Sequence, residues 1–210
     1  METPVEKTES TQAQKVATKV EEVFGNPDLT TIDPSNKENL KLYGNQSYTI
    51  WELREFREKS KDKNVQEEAY EKLLRKVGWF DNILMFHQVW NKIPHSKVNQ
   101  VLADTDNSQF RIYEDEDAKQ YTVDGIMMFK TGVKPKWEDP VNKDGGEWRI
   151  DIGVREDSVL QKIWETLVFT PLTGEFPHAE DGLAGVRFIQ KVKNDALMTY
   201  RIEVWLQKDK

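Results

Sequence analysis

Trp137 and Glu138 stand side by side in the segment Lys134-Pro135-Lys136-Trp137-Glu138-Asp139-Pro140. An indole plane stacks on flat rings, and a carboxylate beside it accepts hydrogen bonds from N–H groups on a ring edge. Such a pair can hold a heterocyclic base and read its edge, provided the backbone is stiff. Pro135 and Pro140 restrict the chain on both sides of the pair. Gly145-Gly146 permits a tight reversal before Trp148.

The rest of the composition narrows the chemistry. With no cysteine, disulfides and thiolate metal sites are excluded, and the histidines (His87, His95, His178) are too scattered for a metal cluster. No cofactor is expected. There is no serine or cysteine nucleophile with a placed histidine and no glycine-rich phosphate loop. Glu138 and Asp139 resemble an acid–base pair only superficially, since sequence neighbours rarely face one substrate. The reading is binding without turnover. A net charge of −7 argues against grip on a long phosphate backbone, while seven tryptophans favour ring recognition.

The elements that must position the pair are legible in outline. Residues 1–40 are polar and broken by Gly25-Asn26-Pro27 and Asp33-Pro34, and read as a disordered tail. Within it, Val16 to Val23 can form a short helix on a partner. Residues 48–53 are β-prone and open the sheet; residues 54–65 are charge-dense and read as a loop. Residues 68–77 carry helix formers yet also fit a loop followed by a strand at 73–77. Asp81 or Asn82 caps a helix with an apolar stripe at 83, 86, 90 and 93, which Pro94 ends. Residues 98–125 read as an acidic insertion with a short strand at 110–113. Residues 126–129 form an apolar strand, and strict alternation marks another at 148–154. Ser158 caps a helix closed by Pro171. Residues 186–190 and 200–205 form two antiparallel strands.

The block Phe129-Lys130-x-Gly132-Val133-Lys134-Pro135-x-Trp137-Glu138-Asp139, then Asn142-Lys143-x-Gly145-Gly146-x-Trp148, resembles the centre of the translation initiation factor 4E family, which binds the 7-methylguanosine 5′ cap of messenger RNA. The resemblance runs from about Tyr48 to Trp205. It implies an α+β domain over residues 41–210: a curved antiparallel β-sheet with helices packed on its convex face, C-terminally shortened. Its short form is similar to divergent paralogues found in trypanosomatid protists. The implied site stacks the cap guanine between Tyr70 and Trp137. Glu138 takes the guanine edge, Trp205 contacts the methyl group, and Arg201, Lys191, Lys193 and Arg187 hold the phosphates. The implied partners are capped mRNA and a 4G-like scaffold or 4E-interacting protein. The latter would sit in a convex-face groove lined by Ile83, His87, Trp164 and Val168. The implied setting is cytoplasmic translation initiation or its regulation.

Two positions depart from the family pattern. His87 stands where the groove carries a tryptophan, and Gln190 stands where the family has a phosphate arginine. These keep open a second reading, a cap-independent scaffold of the same fold that works mainly through a protein partner. A cap-hydrolysing enzyme is the third reading, and no residues carry it.

Overall fold

A computed structural model of the chain describes residues 41–56, 66–93, 113–153, 157–175, 182–193 and 197–208. After a short turn at Tyr43–Asn45 come β1 (Tyr48–Phe56), α1 (Gln66–Leu73), β2 (Leu74–Phe80) and α2 (Ile83–Lys92). They are followed by β3 (Tyr113–Glu114), β4 (Gln120–Lys130), β5 (Gly146–Ile152), α3 (Asp157–Thr173), β6 (Leu183–Lys193) and β7 (Leu197–Leu206). The strands form one antiparallel sheet in the order β2-β1-β4-β6-β7-β5, with β3 pairing β4. The expected α+β architecture is therefore present.

Alternation along the strands splits the apolar residues between two faces. Ile50, Ile126, Met128, Val186, Phe188, Tyr200 and Ile202 join Val89, Leu160, Trp164 and Val168 of α2 and α3 in one core. Met127, Phe129, Ala184 and Trp205 join Val133 in a second, smaller core on the opposite face. The helices thus cover one face, and the loop after β4 covers part of the other. The register aligns rows of side chains across that second face. One row runs Trp51, Met127, Arg187, Glu203, Arg149 through β1, β4, β6, β7 and β5. The next runs Thr49, Phe129, Gly185, Trp205, Glu147. Gly185 is required there, because a Cβ would lie 2.4 Å from the Phe129 ring. The gap it leaves lets Phe129 meet Trp205 edge to face at 5.5 Å.

Several expectations change in detail. Residues 68–77 hold both proposed elements in succession, a helix to Leu73 and then a strand from Leu74. Asn82, not Asp81, caps α2: its side-chain oxygen accepts the Met85 N–H at 2.9 Å. Pro94 lies outside the described residues. Ser158 lies within the first turn of α3, not before it, and Pro171 lies inside that helix. β1 runs on to Phe56 into the stretch read as loop, and residues 57–65 are outside the described residues. The acidic insertion is partly sheet. Residues 113–125 contain β3 and the first half of β4, where Tyr121 and Val123 are buried. Residues 98–112 and the tail at 1–40 fall outside the described residues.

Candidate functional site

The loop from Thr131 to Gly145 is held by its own side chains. Asp139, nearly buried, accepts the Lys134 N–H at 2.9 Å and the Val141 N–H at 3.0 Å. Asn142, also buried, donates from its amide nitrogen to the Lys134 and Lys136 carbonyls at 2.8 and 2.9 Å. These bonds satisfy backbone groups that no strand or helix pairs, as buried polar groups require. Gly145 closes the loop against β7, where a Cβ would lie 1.9 Å from the Leu206 carbonyl oxygen. The result presents Trp137 at 41% exposure and Glu138 exposed beside it.

Beneath Trp137 lies Trp205. The two rings stack with centroids 4.1 Å apart and planes 22° from parallel, and Trp205 is 1% exposed. Trp205 is therefore the floor under Trp137 in this structure rather than an open apolar wall. Its Nε1–H donates to Glu203 Oε2 at 3.0 Å. Glu203, itself buried, also pairs with Arg187 Nη1 at 3.1 Å, and the Arg187 guanidinium lies 5.2 Å from the Trp205 ring centre. A buried charge is tolerated only when paired in this way.

Tyr70, on α1, joins this network. Its hydroxyl donates to the Pro135 carbonyl at 3.1 Å and accepts from Arg187 Nη2 at 3.2 Å. Burial pushes the Tyr70 phenol above its usual value, and the Arg187 charge works against that shift. The next residue, Glu71, pairs with Lys136 and with Lys134, the latter at 3.2 Å. Hydrogen bonds from Lys136 and Lys134 hold the Glu71 carboxyl below the ordinary range. α1 and the loop are thereby clamped at three points.

The phosphate candidates are less uniform. Arg201 is engaged by Asp151 through both Nε at 2.6 Å and Nη2 at 3.0 Å, a fork–fork pair that raises its pKa further. Arg187 is paired with Glu203, although its Nε is buried without a partner. Lys191 and Lys193 lie on β6, opposite Thr199 and Leu197 of β7; their side chains are outside the described residues. Gln190 has the parity of Phe188 and pairs with Tyr200, so it belongs to the helix-covered face and not to the face of Trp205.

The family model for eukaryotic initiation factor 4E matches residues 44–210, four-fifths of the chain. The chain belongs to that family. It is 24% identical over 196 residues to initiation factor 4E of Candida albicans, covering 92% of this chain and 77% of the relative. It is 42% identical over 62 residues to initiation factor isoform 4E of Arabidopsis thaliana, covering 29% of this chain and 30% of the relative. Among solved structures, Ascaris suum eIF4E-3 with an m7G cap superposes with a TM-score of 0.53 at 19% identity, over 81% of this chain and 74% of that one. Caenorhabditis elegans eIF4E-3 with the 4E-binding protein Mextli superposes with a TM-score of 0.54 at 18% identity, over 81% and 76%. These superpositions establish the 4E fold.

Within this 4E fold, the groove expected on the helix face needs correction. Trp164 and Val168 are 2% and 0% exposed and belong to the core. α3 turns them onto the sheet, so they cannot line an open groove. Ile83 is half-buried and His87 is exposed. The apolar side chains that do reach the surface there are Leu84 and Phe169, with Phe169 meeting Phe86 and Trp90 at 5.8 and 5.7 Å.

Sequence reasoning missed Asp139 and Asn142 as the loop's braces, Glu203 as the acceptor under Trp205, and Glu71 as the clamp. Glu203 had a signal: it shares the parity of Arg201 and Trp205 on β7, an acid between a cation and an indole on one face.

Proposed function

We propose that the chain binds the 7-methylguanosine cap of messenger RNA in cytoplasmic translation initiation or its regulation, without turning it over. The supporting observation is the braced loop that holds Trp137 and Glu138 outward over a buried Trp205. Tyr70 is tied to the same loop through Pro135. The named cap complexes of Ascaris suum eIF4E-3 are consistent with this reading.

With centroids 4.1 Å apart, Trp137 and Trp205 leave no room for a ring between them. The ligand therefore stacks on the outer face of Trp137 or displaces Trp137 from Trp205. In the second route the ring takes the place of an indole pair worth about 0.5–1.5 kcal/mol. A neutral guanine stack of about 1–3 kcal/mol barely outweighs that loss. A methylated guanine is cationic and adds roughly 0.5–2 kcal/mol of cation–π attraction. The closed stack lowers both affinities alike, so discrimination for the charged base comes from the cation–π attraction alone.

Glu138 accepts from the guanine N1–H and exocyclic amine, a charge-assisted pair that adenine cannot make. Tyr70 supplies the second plane, and Trp205 meets the methyl group once Trp137 has moved. Lys191 and Lys193 hold the phosphates. Arg187 contributes positive charge from its pair with Glu203, and Arg201 contributes only by leaving Asp151. A 4G-like or 4E-binding helix docks on the helix face beside Ile83 and His87, reaching Leu84 and Phe169.

Trp137→Ala tests this reading. Loss of one stacking plane and its cation–π share, less the indole stack that no longer has to be broken, weakens retention on a 7-methyl-GTP column on the order of tenfold. Unchanged retention overturns cap binding at this site. A protein that ignores cap analogues but captures a specific partner through the helix face fits the scaffold alternative, which His87 motivates.

A further inference from the structure

α1 is eight residues long, too short to hold itself in water without packing. Its last residue, Leu73, runs straight into β2, where Leu74 packs with Trp51 and Leu53 on the second core. That end is fixed by the sheet. The turn before it has less to hold it: Tyr70 and Leu73 are half-buried, and Glu71 and Lys72 are exposed. The ties to the loop therefore set where α1 lies.

Those ties fall on three consecutive loop residues. Lys134 Nζ donates to both Glu71 oxygens at 3.2 and 3.3 Å, and Lys136 Nζ donates to one of them. The Tyr70 hydroxyl donates to the carbonyl of Pro135, which lies between the two lysines. Each proposed stacking ring thus has a sequence neighbour in the ion pairs: Glu71 follows Tyr70, and Lys136 precedes Trp137. From the other side Asp139 and Asn142 brace the backbone of Lys134 and Lys136. The Trp137 ring lies beyond both sets of bonds. It can leave Trp205 while the stretch from Lys134 to Lys136 stays in place.

We propose, resting on the cap-binding reading, that Glu71 is the positioning residue of this site. Through Lys134 and Lys136 it holds α1 against the loop, and so fixes the Tyr70 plane beside Trp137 before the base arrives. The ion pairs join residues that do not move with the Trp137 ring, so they persist when the base enters. What they supply is preorganisation. Without Glu71, α1 divides its time between docked and displaced positions, and apparent affinity falls with the docked fraction. The pairs are exposed and screened, so the loss is about two- to fivefold.

Titration of the full chain with 7-methyl-GTP, followed by tryptophan fluorescence, tests this, with circular dichroism melts as the folding control. Glu71→Gln weakens binding about two- to fivefold in low salt, and its difference from wild type narrows as salt rises. In a Tyr70→Ala background the same substitution changes nothing further, because no second plane is left to position; a double-mutant cycle reads this. Glu71→Lys faces two lysines and weakens binding more. Adding Lys136→Glu puts the carboxylate on the loop with net charge unchanged, and recovers most of the loss. Wild-type affinity in Glu71→Gln overturns the proposal. So does a loss that persists in the Tyr70→Ala background, since Glu71 then acts on the ligand's charge and not through α1. Tighter binding by Glu71→Gln also overturns it, because the pairs then hold the site shut. A wild type that ignores 7-methyl-GTP fails the cap-binding reading and takes this inference with it, whereas a binding wild type with an indifferent Glu71→Gln fails this inference alone.

Discussion

Two pairs of stacked tryptophans lie on opposite faces of one sheet. On the helix face Trp90 and Trp164 stack with centroids 6.4 Å apart and planes 15° from parallel, both carried by helices and Trp164 2% exposed. On the other face Trp137 and Trp205 stack at 4.1 Å and 22°, but Trp137 sits on a loop and is 41% exposed. In the first pair Trp164 is bound into close packing and can move only if the core moves, with Trp90 half-buried against it. The second has one fixed partner and one that can leave. Trp205 is held from the side by Glu203, so it remains in place when Trp137 departs. On the proposed function, identical side chains serve stability in one place and recognition in the other, and what differs is the element that carries the outer ring.

The sharpest way to break this contrast is to truncate each face in turn. Trp164→Ala opens a core cavity and is expected to cost about 3–5 kcal/mol, read by urea denaturation. The fraction that remains folded should bind cap analogue normally. Should Trp164→Ala leave stability intact, the helix-side pair is not the structural one.

Neighbouring carboxylates on the loop make the next test. Asp139→Ala strands the Lys134 and Val141 N–H groups and is expected to cost about 1–3 kcal/mol, with weaker cap binding because Trp137 loses its support. Glu138→Ala leaves the melting temperature unchanged but removes discrimination between guanine and adenine cap analogues. Equal effects of the two substitutions on stability would erase the division of labour between them.

The smallest effect concerns the clamp. The Glu71 carboxyl is lowered in the folded state, chiefly by Lys136. Its contribution is present above the unfolded value near 4.5 and is lost as pH falls through the lowered folded value. The pair is exposed and screened, so melting curves of wild type and Glu71→Gln should differ slightly at neutral pH and converge in acid. A gap that widens in acid contradicts the sign.

Much of the fold was legible because its signals are local. Alternation over residues 148–154 and helical spacing over residues 83–93 each marked an element within a few residues of its observed bounds. Residues 68–77 looked ambiguous because two elements abut there without a loop, so each competing reading described one half. Tyr121, Thr122 and Val123 were hidden by the acidic residues around them: composition averaged over a window masks a β-prone run. Trp164 and Val168 were assigned to a groove because helical spacing identifies a stripe but not the layer it faces. The same limit applied to Trp205. Strand parity gives its face, yet nothing local says that Trp137, 68 residues away in sequence, lies on top of it. The braces Asp139 and Asn142 lay inside the motif that carried the resemblance, but their bonds close only once the loop has folded.

The central claim is that the outer ring of the Trp137–Trp205 pair exchanges its indole partner for a charged base. The most direct measurement titrates the purified protein with 7-methyl-GTP and with GTP, following tryptophan fluorescence. The account predicts quenching by the methylated nucleotide at a concentration about 2- to 30-fold lower than by GTP, the cation–π increment expressed as affinity. Equal, weak responses to both nucleotides would contradict it and would leave the stack as ordinary packing.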